Sequence, residues 1–249
     1  MDALVSLAGG SLLGPHFLAM AAMVFVAAIL QGVGGLGFAM FSAPISALFF
    51  PELAPGVLLV LGGCVATMVL LRERSAIDFG SVGSMVSGRL IGNLLAVGLL
   101  ASLSVAMFNA LFGVMILLGV ALSYSGWRVE ANWRNLGAAG VLSGIMGTIT
   151  SSGAPPYAIV MQNAPPAILR ATLNTTFLFG ALSSLALLAA IGRFGWPQLM
   201  LGLMLFPALY LGFRVSTPIA RHVPRAAIRH FLLGLSGLSA AGLLLRALM

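Results

Sequence analysis

Apolar residues run in long blocks along this chain, and charged residues fall at the block edges. From Ala3 to Leu71 the only charged side chain is Glu52. A membrane-crossing helix needs about 20 residues, so this stretch is too long for one span. Pro51-Glu52-Leu53-Ala54-Pro55 supplies a break, which predicts a first segment at His16–Phe50 and a second at Gly56–Leu71. Arg72-Glu73-Arg74 forms a short charged loop. A third segment follows at Phe79–Leu100, with Arg89 inside it, and a fourth at Val105–Tyr124. The most polar stretch, Trp127 to Asn135, carries two Trp and two Arg, the composition of an interfacial loop. Segments five to eight are then expected at Leu136–Met161, Arg170–Ile191, Pro197–Thr217 and Ile228–Leu248, with a turn at Gly192–Gly195 and a basic loop at Arg221–Arg229.

The two halves share a pattern. Gly32-x-x-Gly35 is followed by Pro44, and Gly144-x-x-Gly147 by Pro156, at the same spacing. Gly88-x-x-x-Gly92 matches Gly212-x-x-x-Ser216, and Gly113 matches Gly234. Small residues are common at membrane helix contacts, so it is the shared order that points to duplication: a repeat at 1–126, a linker at 127–135 and a second repeat at 136–249. Four full spans per half would make the repeats parallel. If segments one and five are broken and return to their own side, each half has three full spans and the repeats are inverted. The inverted arrangement gathers Arg72, Arg74, Arg128, Arg134, Arg170, Arg221, Arg225 and Arg229 on one side and leaves Arg193 and Arg246 on the other. The positive-inside rule favours it.

Composition narrows the function. Of 249 residues, 60% are hydrophobic and 7% charged, against about 25% charged in a soluble domain. The mean hydropathy is +1.11. A soluble enzyme, a disordered tail and a disulfide-stapled module are excluded. The expected class is an all-α, polytopic integral membrane protein of about eight segments. The N-terminus has no basic region ahead of its apolar run, so a retained first segment is expected rather than a cleaved leader. The net charge is +7 and all twelve basic residues are Arg. They mark block boundaries and form no basic run with interleaved aromatics, so nucleic acid is not expected as a partner. Cys64 stands alone in an apolar stretch and reads as a packing residue. The acids Asp2, Glu52, Glu73, Asp78 and Glu130 all fall in loops or at segment ends, so the usual proton-coupling carboxylate is missing mid-span. His16, His222 and His230 lack ligand spacing. No catalytic constellation, metal site or cofactor motif is present. Gly32-x-Gly34-x-x-Gly37 spells GxGxxG, without the βαβ context that gives it meaning.

Candidate chemistry sits at the breaks. Gln31-Gly32-Val33-Gly34-Gly35-Leu36-Gly37 and the run Gly144 to Pro156 are poor continuous helix. In a bilayer, freed backbone groups need partners, which confines such segments to protein-buried or cavity-lining positions. A helix restarting after the break offers free N–H groups and the positive end of its dipole, an anion site. Thr148, Thr150, Ser151 and Ser152 could add hydroxyl donors. The competing explanation is close helix packing through small residues. Arg89 lies mid-segment with Asn93 one turn on, Arg170 opens segment six with Asn174 one turn on, and Arg214 lies late in segment seven. A guanidinium fork suits a sulfonate or carboxylate; topology anchoring is the alternative role for each.

At these glycine motifs the chain resembles the sulfite exporter TauE/SafE family, also called the toluenesulfonate uptake permeases. The likeness rests on eight segments in two halves, the Gly-rich runs leading to Pro44 and Pro156, the Gly153-Ala154-Pro155-Pro156 run, and the Gly88/Gly92 and Gly212/Ser216 pairs. It implies a multi-pass transporter in the cytoplasmic membrane that moves sulfite, sulfonates or related small organic anions. Its expected partners are the lipid bilayer and the anion, with a homo-oligomer left open. The expected contact residues are Gly32, Gly34, Gly35, Gly37 and Pro44 from the first break. The second break adds Gly144, Gly147, Thr148, Thr150, Ser151, Ser152, Gly153, Pro155 and Pro156. Arg89, Asn93, Arg170 and Asn174 complete the set. A cation or metal-ion transporter, a non-transporting subunit and an intramembrane enzyme are the alternatives.

Overall fold

A computed structural model describes residues 14–35, 37–127, 129–219, 232–239 and 242. Among them there are helices and no strands. In chain order the helices are α1 Pro15–Gly34, α2 Phe38–Phe49, α3 Gly56–Glu73, α4 Phe79–Ser102, α5 Val105–Tyr124, α6 Trp133–Thr150, α7 Ala154–Val160, α8 Pro166–Ala190 and α9 Trp196–Ile219. Residues 232–239 are also helical. The predicted eighth segment and the loop Arg221–Arg229 lie mostly outside the described residues. Within the described residues, α1, α3, α4, α5, α8 and α9 each carry a stretch long and apolar enough to cross a membrane, six candidates in all.

The helices begin where the chain supplies a cap. The Asp78 carboxylate accepts from the amides of Gly80 and Ser81 at the start of α4. Ser104 and Asn132 do the same for α5 and α6. Side-chain placement is inverted relative to a soluble helix. On α4, Leu90, Ile91, Leu94 and Leu95 are exposed while Arg89 and Asn93 are buried. That is the distribution expected when the surroundings are hydrocarbon and polar groups find partners only inside the protein.

Segments one and five are each two helices that double back. α1 ends at Gly35, whose φ of 85° is left-handed and whose amide bonds to Gln31 O at 2.7 Å. The Gln31 side chain closes the turn, donating to Gly35 O (2.9 Å) and accepting from the amide of Phe38 (2.9 Å). α2 then returns, so that Glu52 just beyond it pairs with His16 at the start of α1. The second break is alike. Ser151 takes φ 63°, the one left-handed non-glycine residue described, and Ser143 donates to Gly153 O at 2.6 Å. After α7, Gln162 donates to Trp127 O, ahead of α6, at 2.9 Å. Each hairpin therefore opens and closes at one end of the bundle.

The glycine pairs mark two similar crossings. A Cβ on Gly88 or Gly92 of α4 would run into the carbonyls of Gly137 or Val141 on α6. A Cβ on Gly212 of α9 would run into the carbonyl of Phe25 on α1, and Gly32 of α1 leaves room for Ser216 of α9. α3 and α8 pack together between these crossings. The two prolines at equal spacing are not in equal places. Pro44 lies inside α2, whereas Pro155 and Pro156 sit in the first turn of α7. The reason is that α6 runs about one turn further past its glycine pair than α1 before it breaks.

Candidate functional site

A cavity of about 60 Å³ lies between the two hairpin breaks, room for about four water molecules. Gln31, Phe38 and Ala39 line it from the first hairpin and Ser151, Gly153 and Ala154 from the second. α3 adds Leu58, Leu59, Gly62 and Val65, α4 adds Arg89, and α8 adds Asn174, Phe177 and Ala181.

Arg89 is the charged group of this cavity. It is 3% exposed, and among the described residues no carboxylate pairs with it: Glu52 is bonded to His16, Glu73 to Arg72 and Arg170, and Asp78 and Glu130 stand at helix ends or in loops. Nη1 donates to Ser143 Oγ at 2.7 Å, the guanidinium stands 5.4 Å over the Phe177 ring, and Nε has no partner. Three glycines make its space. A Cβ on Gly147 would lie 2.7 Å from Nη2, one on Gly153 would lie 3.1 Å from Nη1, and one on Gly180 would overlap Nε and Cζ. Tyr157, fully buried, donates to Met85 O one turn before Arg89 on α4.

Asn93 stands one turn deeper and ties three helices. Its amide lies 3.0 Å from Thr148 Oγ1 on α6 and 2.7 Å from Ser183 Oγ on α8, and Thr148 also reaches Ser184 at 2.9 Å. Asn174 is fully buried, donates to Arg170 O at 2.8 Å and lies 3.4 Å from Gln31 Nε2. Arg170 does not line the cavity; its Nε is bonded to both oxygens of Glu73 at 2.9 Å.

Of the expected contact residues, Arg89, Asn174, Ser151 and Gly153 come together on the cavity wall. Gly147 sits behind Arg89. Gly32 and Gly144 belong to the helix crossings, Gly34 is the last residue of α1, Gly35 is the left-handed turn against Arg170, and Gly37 packs on the Leu30 backbone. Thr150 bonds back to Met146 O and accepts from Ser152 N, and the Ser151 hydroxyl donates to Pro55 O. These hydroxyls fix the break in place. Pro44, Ser152 and Pro155 line a separate space of about 20 Å³ beside α5. Pro155 and Pro156 remove two amide donors from the first turn of α7, so the restarted helix with a first-turn amide left for the cavity is α2, at Ala39, the Phe38 amide being bonded to Gln31.

Sequence reasoning passed over Gln31, Ser143, Tyr157, Phe177 and Gly180. Gln31 had a signal, being the one polar side chain between Phe17 and Leu36. Gly180 had none, because its closeness to Arg89 arises only when α4 and α8 pack.

The family model described as sulfite exporter TauE/SafE matches residues 20–243. The chain belongs to the sulfite exporter TauE/SafE family. No curated protein and no solved structure matches it. As a TauE/SafE member the chain is a multi-pass membrane transporter and not an enzyme. In this TauE/SafE chain, no group of three or more His, Cys, Asp or Glu side chains is gathered in a metal-holding cluster among the described residues.

Proposed function

We propose that this protein exports a small oxyanion, of the sulfite, sulfonate or related organic-acid class, across the cytoplasmic membrane by alternating access around two broken hairpins. The observation that carries it is Arg89: a buried cation with no carboxylate partner among the described residues, in a cavity lined by both breaks. A lone cation at membrane depth is unfavourable by about 2.5–3.5 kcal/mol on insertion scales. An entering anion supplies the missing charge and accepts charge-assisted hydrogen bonds from the guanidinium that lines the cavity. The positive end of α2 and the Asn174 amide add neutral donors.

The halves act as inverted repeats. What supports this is that each hairpin has its mouth tied at its own end, by His16–Glu52 and by Trp127–Gln162, and that α4 crosses α6 as α9 crosses α1. Glu73 and Arg170 join the end of α3 to the start of α8, so the α3 exit and the second hairpin's mouth share one face. That face collects Arg72, Arg74, Arg134 and Arg170. It is the cytoplasmic face by the positive-inside rule.

With the cell interior negative, an exiting monoanion gains about 2.3 kcal/mol per 100 mV. Export then needs no coupled proton, in keeping with acids that stand at helix ends or in loops. The test is flux from liposomes holding purified protein and loaded with sulfite, taurine, sulfoacetate or acetate under an imposed potential. Faster release of a sulfur oxyanion at inside-negative potential supports the proposal. Release that ignores potential for every anion overturns it.

A further inference from the structure

Arg170 and Glu73 meet just beyond the cavity. Arg170 stands near the start of α8 and Glu73 ends α3. Their side chains are 18% and 14% exposed, and both carboxylate oxygens accept from Arg170 Nε. One turn inward, Asn174 lines the cavity and donates to the Arg170 carbonyl. At the tip of the first hairpin, Gly35 sits so close that a Cβ would lie 2.8 Å from Arg170 Cδ. The arginine stem thus lies across the turn of hairpin one. Arg170 Nη1 is buried and has no partner.

We infer that Glu73 occupies a second anion position on the transport path, and that the transported anion takes this position by displacing Glu73 from Arg170. The inference rests on the proposed oxyanion cargo. A guanidinium receives carboxylates and sulfur oxyanions alike; Glu73 meets it through Nε alone and is also bonded to Arg72, which keeps a partner for the carboxylate when it leaves Arg170. Glu73 offers two oxygens and leaves Nη1 idle; sulfite and sulfonate groups offer three. Displacement also separates the end of α3 from the start of α8, beside the hairpin tip. Anion arrival at Arg170 and release of hairpin one therefore become one event, with Asn174 and Gln31 linking it to the Arg89 cavity.

The test reads half-saturating sulfite and maximal efflux in reconstituted protein for Glu73→Gln, Arg170→Gln and the double variant. Removing the resident carboxylate raises the population of accessible Arg170, so half-saturating sulfite falls about fivefold in Glu73→Gln. Arg170→Gln and the double variant share a raised value, because the position itself is gone. An unchanged half-saturation in Glu73→Gln overturns the inference. Should that variant fail to fold, Glu73→Asp, whose shorter arm weakens the pair, shifts half-saturation in the same direction by about twofold, and no shift overturns it equally. Loss of flux in Arg89→Gln beside an unaltered Glu73→Gln removes the role of Glu73 alone. Normal flux in Arg89→Gln removes the anion reading beneath it.

Discussion

Gly180 on α8 and the Arg89 guanidinium on α4 leave no space between them: a Cβ on Gly180 would overlap Nε and Cζ. Gly180→Ala therefore pushes the guanidinium off Ser143 and out of the glycine cradle. Overpacking of this kind is destabilising by about 1–3 kcal/mol, and displacement of the cation lowers sulfite flux about tenfold or more. Thermal unfolding and liposome flux measure the two effects. Flux equal to wild type in Gly180→Ala would mean that the cradle does not set the position of Arg89.

A cation held in this cavity without a carboxylate among the described residues to pair with it is a functional group at odds with stability. Arg89→Met removes it and fills part of the same space with apolar atoms. Exchange of buried ionic groups for apolar ones is often neutral or stabilising. In detergent without anion, Arg89→Met is expected to match wild type or exceed it by about 1–2 kcal/mol. Sulfite should raise the unfolding temperature of wild type and leave that of Arg89→Met unmoved. A large loss of stability in Arg89→Met would assign the arginine to the fold instead.

The helices were legible because their apolar blocks match the length a bilayer requires, and Arg89 and Asn93 were legible as polar residues in mid-block. The breaks were visible in the glycines around Gly35 and in the Ser151–Pro156 run. Their use was less visible. Ser143, not the threonines, meets Arg89, because α6 continues about one turn beyond Gly147 and turns Thr148 toward Asn93 and Thr150 along its own helix. Where a helix ends fixes which way its hydroxyls point, and that end depends on the returning chain packing against it. For the same reason the equal spacing to Pro44 and Pro156 does not put the two prolines at equal places in their hairpins. Gln31 was in plain view within its motif, yet its task of closing the turn depends on Phe38 coming back beside it.

Tied hairpin mouths make a topological prediction. Reporters at both chain termini fall on the face opposite the 127–135 loop, with that loop in the cytoplasm. Accessibility labelling of single cysteines at these three places in intact cells, on a Cys64→Ser background, checks it. A terminus that labels with the loop would remove the inverted arrangement.

The Asp78 cap gives a pH signature outside the membrane segments. The Ser81 hydroxyl holds the Asp78 carboxyl below its ordinary value against the opposing effect of burial, with the amides of Ser81 and Gly80 adding to the lowering. A carboxyl lowered on folding contributes stability above its unfolded value, and the contribution is lost as pH falls through the lowered folded value. Asp78→Ala is thus expected to be destabilising by about 1 kcal/mol at neutral pH. The gap to wild type should close under strongly acidic conditions, as followed by unfolding midpoints down a pH series. A gap that persists undiminished there would show that the cap is not acting through its charge.

The central claim is that Arg89 is where the anion is held. Calorimetric titration of sulfite into purified wild type and Arg89→Gln, both shown to be folded, tests it most directly. Saturable binding by wild type that is lost in Arg89→Gln is the predicted result. Binding of equal affinity in the two proteins would contradict it.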